Sequence, residues 1–188
     1  MSDATEREAV TLRTAEFTAL RRTIAARGTV RSVIAPVACT AWAALTLGVL
    51  LYADLPAATL LSLAVLVGGF EAVHALHVGV ERIGRYLQVF YEGGGSAGPQ
   101  WETTAMTVGP ALPGGGVDPL FSAVFVMAAL LNLGAATLVP QPTWPEFAFL
   151  AVFHAAFVFR VVRARMAATR QRAVELESFK ALRNRPNP

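Results

Sequence analysis

The sequence contains four long apolar runs, and all 16 Lys and Arg residues fall on one side of them. Each run has about the 17–25 residues that a helix needs to cross a bilayer. The predicted spans are 33–52, 57–80, 120–139 and 146–162. The two short connections carry Asp54 and Glu146 but no base. The positive-inside rule therefore predicts that the N- and C-termini are both cytoplasmic.

The composition agrees with a lipid environment. Only 15% of the 188 residues are charged and 54% are hydrophobic, whereas soluble domains carry about 25% charged residues. The apolar runs also lack the polar face that a helix of a soluble bundle needs. We therefore predict an all-α, four-transmembrane-helix bundle, a multi-pass protein of a bacterial inner (cytoplasmic) membrane.

The N-terminal segment, residues 1–30, is predicted to be cytoplasmic and to form an amphipathic helix over residues 10–27, after which Gly28 allows a break. Its apolar residues recur at helical spacing, and its basic face comprises Arg13, Arg21, Arg22 and Arg27. Such a face is typical of a helix that contacts anionic lipid at the cytoplasmic surface of a membrane. The alternative is an ordinary cytosolic helix that packs on its neighbours.

The first transmembrane hairpin covers residues 31–92, and its second helix is too long for the bilayer. No helix breaker occurs between Ala57 and Gly93, so the helix would be about 54 Å long at 1.5 Å per residue. A hydrocarbon core is about 30 Å thick. We therefore expect helix 2 to extend into the cytoplasm as far as residue 92.

A Gly- and Pro-rich cytoplasmic loop, residues 93–118, is predicted to connect this hairpin to the second one, residues 119–162. Asp118 and Pro119 predict the start of the third helix, with Asp as its N-cap. Asn132 is the only strongly polar residue of that span, and we expect it to hydrogen-bond between helices. A basic cytoplasmic helical tail, residues 163–188, continues the fourth helix.

Polar residues follow one face of helix 2 and its extension. At 100° per residue they fall within an arc of about 80°, which predicts a face turned to water, a pore or a polar partner. This polar seam consists of His74, His77, Glu81, Arg85, Gln88 and Glu92.

Counting residues from the two short connections predicts ion pairs between helices 2 and 4. Glu71 lies 14 positions after Ala57, and Arg160 lies 14 positions after Glu146. If the two helices are parallel neighbours, Glu71 and Arg160 lie at one depth, and by the same count Glu81 meets Arg170. An unpaired charge inside a bilayer costs at least about 2.5 kcal/mol, so a partner is expected.

Two alternatives use the polar seam for chemistry. Glu71, His74 and His77 could bind a metal ion or haem, because a Glu-x-x-His motif forms half of a helix-borne di-metal site. The chain has no second such motif, so only a homodimer would complete it. His154 lies about 13 Å away in depth from His74, which disfavours haem ligation by both. The second alternative is proton or ion conduction by an oligomer.

The sequence does not predict an enzyme, a cofactor or a nucleic-acid partner. His77 and Glu81 could act as base and orienting group, but no nucleophile or phosphate-binding loop accompanies them. We therefore expect a non-enzymatic scaffold or accessory subunit, in a homo-oligomer or with other membrane subunits. Gly48, Gly68 and Gly69 would allow close contact between helices.

Overall fold

The computed structural model describes residues 2–92, 100–108, 118–139 and 142–185, which are mainly helical and include no β-strand. The helices of these ranges are α1 Ser2–Tyr52, α2 Thr59–Leu87, α3 Trp101–Val108, α4 Ser122–Ala136 and α5 Trp144–Arg183. A 3-10 turn, Pro56–Ala58, precedes α2, and a π-helical turn, Gln88–Glu92, extends it. The predicted all-α class with several long apolar helices is thus confirmed.

Three helical stretches among the described residues are long and apolar enough to cross a membrane: Thr5–Tyr52, Pro56–Glu92 and Trp144–Arg183. They support a membrane-embedded protein. The predicted third span, 120–139, corresponds to α4, a shorter apolar helix of 15 residues. At 1.5 Å per residue α4 is about 22 Å long, which is less than the thickness of a hydrocarbon core.

Two predicted helix boundaries are wrong. Helix α1 continues through Gly28 without a break, because one glycine inside a helix costs only about 1 kcal/mol. The third helix begins at Ser122 instead of Pro119. The carboxylate of Asp118 accepts the backbone N–H groups of Leu120 and Ser122, at 3.1 and 2.7 Å. Phe121 between them is left-handed, with φ of 52°, so the helix starts after it.

The chain forms two compact units. Unit 1 consists of Met1–Thr29, Val78–Val117 and Arg170–Pro188, and unit 2 consists of Val30–His77 and Asp118–Thr169. Unit 2 contains the apolar parts of α1, α2 and α5 together with α4, whereas unit 1 contains α3 and most of the charged residues.

The core of unit 2 is apolar and rich in phenylalanine. Phe70 of α2 is fully buried and packs edge-on against Phe125 of α4 and Phe157 of α5, with ring centroids 5.4 and 6.0 Å apart. Helices α1 and α2 approach closely at Gly69, where an added Cβ would collide with Ala38. Glycine is therefore required at this position of the helix interface.

Much of the surface of unit 2 is apolar. Large hydrophobic side chains are exposed on all its long helices, as expected for helices solvated by lipid. Examples are Val37, Leu47, Leu61, Leu130 and Val152. Tyr52, at the end of α1, and Trp144, at the start of α5, are 87% and 77% exposed. Amphipathic aromatic rings at helix ends suit the boundary between lipid and water.

Candidate functional site

The structure brings Glu71 of α2 and Arg160 of α5 together in unit 2. One guanidinium nitrogen of Arg160 donates to Glu71 Oε2 at 2.7 Å and lies 3.4 Å from His74 Nδ1. The same guanidinium lies over the ring of Phe70, 5.8 Å from its centroid. The side chains of Arg160 and Glu71 remain 41% and 43% exposed. The pair is therefore satisfied internally but open on one side.

His77 is buried in unit 2 beside a cation. Arg31 Nη1 lies 3.1 Å from His77 Nδ1. Because a guanidinium can only donate, Nδ1 must accept, and the proton of a neutral His77 is then on Nε2. Thus Arg31, a residue that the seam did not include, is the partner of the most buried histidine of the seam.

The structure does not assemble Glu71, His74 and His77 into a metal site. Among the described residues, no group of three or more His, Cys, Asp and Glu side chains could hold a metal ion. Glu71 is turned to Arg160, and His77 Nδ1 is turned to Arg31. Glu71 Oε2 and His77 Nδ1, two atoms that could bind a metal, therefore each face an arginine guanidinium.

In unit 1 the seam continues as an ion-pair network around Arg85, whose side chain is only 2% exposed. Arg85 donates two hydrogen bonds to Glu175 Oε2, at 2.9 and 2.7 Å. Arg82 also pairs with Glu175, at 3.1 Å. Glu81 pairs with Arg85, one helical turn away, at 3.1 Å, and not with Arg170 as predicted. Arg170 itself is exposed.

Glu92, the last residue of the seam, is buried and caps α3. Its carboxylate accepts the backbone N–H groups of Glu102 and Thr103 and the hydroxyl of Thr103, each at 2.8 Å. A carboxylate satisfies the free N–H groups at a helix start and suits the helix dipole there. The prediction of a loop over 93–118 is wrong for Trp101–Val108, which form a helix. The same range contains two runs of three glycines, 93–95 and 114–116, which lie outside the described residues.

Gln88 lies between these two clusters and is partly buried. Its Oε1 atom is buried without a hydrogen-bond partner. Gln88 lines a cavity of about 470 Å³ together with Val89, Leu176 and two bases of α5, Lys180 and Arg183. The other seam residues of unit 1, Glu81, Arg85 and Glu92, are paired with polar groups of the same chain.

The predicted lipid-contact arginines have different surroundings. Arg13 donates to the carbonyl oxygen of Phe90 at 2.7 Å and lies over the ring of Tyr91. Arg21 forms a short ion pair with Glu102 of α3.

Arg27 lies against Gly79, where an added Cβ would collide with its guanidinium. Arg22 is exposed. Three of the four arginines therefore contact other parts of unit 1, which favours the alternative of a helix packed on its neighbours. Glu16 supports it, since its carboxylate accepts the hydroxyl groups of Tyr86 and Tyr91 at 2.9 and 2.6 Å.

Asn132 joins the four apolar helices of unit 2. Its Oδ1 accepts the indole N–H of Trp42 and the hydroxyl of Thr46, both from α1, at 3.1 and 3.2 Å. Its Nδ2 donates to the carbonyl oxygen of Thr59 in α2 and lies 3.0 Å from His154 Nε2 in α5. The sequence indicated that Asn132 would bond between helices, but it gave no signal for these four partners.

His154 has no free ring nitrogen. Its Nδ1 lies 2.8 Å from the carbonyl oxygen of Leu150, which can only accept. Nδ1 therefore carries the proton and Nε2 accepts from Asn132. Both ring nitrogens of His154 are therefore occupied by hydrogen bonds within the chain.

Comparisons with known proteins give no relative for this chain. No protein-family model matches the sequence, and neither a curated protein nor a solved structure is significantly similar to it.

Proposed function

We propose that the protein is a non-enzymatic scaffold or accessory subunit that works within a larger assembly of a bacterial inner membrane. In this proposal the four apolar helices form a transmembrane bundle. Both termini and the extensions of α2 and α5 are cytoplasmic, as the distribution of the 16 bases indicates.

The observation that carries the proposal is the half-exposed ion pair of Glu71 and Arg160. Both side chains lie in the apolar part of their helices and are more than two-fifths exposed. Charged groups inside a membrane normally face a bundle interior or a polar cavity, because lipid cannot solvate them. The surface of another protein chain would cover the open side of the pair.

Four other buried polar residues support a structural role. Asn132 and His154 of unit 2, and Arg85 and Glu92 of unit 1, are buried and hydrogen-bonded within the chain. A catalytic group must instead reach a substrate. The bonds of Asn132 to α1, α2 and α5 also support a bundle in which α4 is the fourth helix.

Native mass spectrometry of the protein, extracted gently from its own membrane, tests the proposal. We expect assemblies that contain more than one chain, and no added mass of metal or haem on the 20.0 kDa protomer. Bare protomers at every detergent concentration would contradict assembly. A cofactor-sized increment that is lost in His74→Ala would instead make the seam a binding site. His154→Gln is the matched control for a histidine outside the seam.

A further inference from the structure

The exposed ion pair of unit 2 lies within a continuous strip formed by α2 and α5. On α2 the strip consists of Ala64, Gly68, Glu71 and Ala75, spaced by four, three and four residues. This is the spacing of residues that share one side of a helix and meet a neighbouring helix. Ala64, Gly68 and Ala75 are exposed, and nothing lies within 4 Å of a Cβ added at Gly68.

The α5 part of the strip carries larger side chains. Phe153, Ala156 and Arg160 are spaced by three and four residues, and Phe153 is 46% exposed. Glu71 and Arg160 are 89 positions apart and in contact. The same separation places Phe153 level with Ala64. The strip therefore presents small residues on one helix beside a large aromatic residue on the other, at the same depth.

We propose that this strip binds a second copy of the same chain through a twofold axis along the membrane normal. Two copies inserted in one orientation can be related only in this way if they form a closed dimer. In such a dimer α2 of each copy meets α5 of the other, with Phe153 packing against Ala64 and Gly68. The inference rests on the proposed function and names the partner.

Charge complementarity selects a second copy as the occupant. The strip presents one acid and one base on adjacent helices. A twofold operation brings Glu71 of each copy to Arg160 of the other, so the open side of both charges is covered at once. The four groups then form a closed network of ion pairs out of contact with lipid. The small residues only provide the room for this approach.

Gly68→Leu tests whether a larger side chain in the strip prevents the dimer from forming. Nothing lies within 4 Å of a Cβ added at Gly68, so the single chain has room for a side chain there, whereas a leucine would collide with the second copy. Gly134→Leu in α4 is the matched control, because a Cβ at Gly134 also meets nothing within 4 Å. By native mass spectrometry at a fixed protein-to-lipid ratio, we expect Gly68→Leu to lower the dimer-to-monomer ratio at least tenfold and Gly134→Leu to change it less than twofold. Equal ratios in both variants would overturn the proposal.

Disulfide trapping gives a readout that does not depend on the folding of the leucine variant. Cys39, the chain's single cysteine, is first replaced by serine. One tagged copy then carries Ala64→Cys, and a second, differently tagged copy carries Phe153→Cys. Mild oxidation of membranes that contain both should give a cross-link between the two tags. Leu131→Cys, exposed on α4, replaces Phe153→Cys as the control and should give none. A cross-link only in the control would contradict the strip.

The two proposals fail in different ways. If the wild-type chain assembles only with different subunits, and no cross-link forms between positions 64 and 153, the proposed function stands and the twofold strip is wrong. If the wild-type chain is monomeric in its own membrane, both are wrong.

Discussion

Asn132 Nδ2 and His154 Nε2 lie 3.0 Å apart inside unit 2, and both residues are almost completely buried. Asn132 Nδ2 also donates to the carbonyl oxygen of Thr59, and Oδ1 accepts from Trp42 and Thr46. One amide therefore binds groups of α1, α2 and α5. This one contact point gives α4, the shortest of the apolar helices, a specific bond to each of the other three.

Replacing Asn132 by leucine should destabilise the helix bundle by about 2 kcal/mol. Interhelical hydrogen bonds in membrane proteins contribute about 0.6 kcal/mol each on average, and four are lost together. Reversible unfolding in mixed detergent, followed by circular dichroism, would measure the change. Leu131→Ala, at an exposed neighbouring position, should cost less than about 0.5 kcal/mol. A similar loss in both variants would argue against a specific role for the amide.

Removing one member of the ion pair should cost more than removing both. Arg160→Leu leaves the Glu71 carboxylate without its partner, whereas Arg160→Leu combined with Glu71→Leu removes both charges. We expect the single variant to be less stable by about 1–2 kcal/mol. This is less than for a fully buried pair, because more than two-fifths of each side chain is exposed in the isolated chain. Unfolding of the monomeric protein in detergent measures this difference, and equal stabilities of the single and the double variant would contradict the pairing.

Glu92→Ala should loosen α3 without unfolding the chain. The backbone N–H groups of Glu102 and Thr103 would lose their acceptor, and the loss of a helix cap costs about 1–2 kcal/mol. Amide hydrogen exchange at 101–108 should therefore become roughly tenfold faster. Glu177→Ala, which removes an exposed acid of α5, is the control and should leave that rate unchanged. Unchanged exchange in Glu92→Ala would show that other contacts hold α3.

The stability of α3 should fall as the pH rises. Burial raises the pKa of Glu102 above its ordinary value of 4.5, and the nearby Glu92 and Glu81 carboxylates act in the same direction. The ion pair with Arg21 opposes them. Because the pKa is higher in the folded state, the folded form is favoured most below 4.5 and loses stability as Glu102 ionises above that value.

Hydrogen exchange measures this dependence after correction for the intrinsic effect of pH on exchange. We expect amides of α3 to be better protected at pH 5 than at pH 7.5. In Glu102→Gln, which cannot ionise, the difference should shrink. Protection that increases with pH in the native chain, and not in the variant, would reverse the sign and contradict the burial argument.

Residue counting was informative where two helices start from equivalent turns. Glu71 and Arg160 were matched by depth alone, and the structure places them in contact. The same count wrongly predicted an ion pair between Glu81 and Arg170. Glu81 pairs instead with Arg85, which lies one turn away on the same helix. Where a partner one turn away on the same helix and a partner at the same depth on another helix are both available, the ion pair forms on the same helix.

The partners of the seam could not be predicted because they come from distant parts of the chain. Arg31 is 46 positions from His77, and Glu175 is 90 positions from Arg85. Only the packing of the helices brings them together. Helix α3 was missed for a related reason, since its cap is Glu92, ten positions before Glu102, and not a local capping residue.

The phenylalanine-rich core of unit 2 has a consequence for ion leakage. Leu66, Phe70, Val73 and Phe125 are all inaccessible to solvent, and Gly69 is in close contact with Ala38. Water is expelled from such apolar constrictions, and ions do not pass without it. We therefore expect the part of unit 2 that the structure describes to offer ions no water-filled path within one copy of the chain.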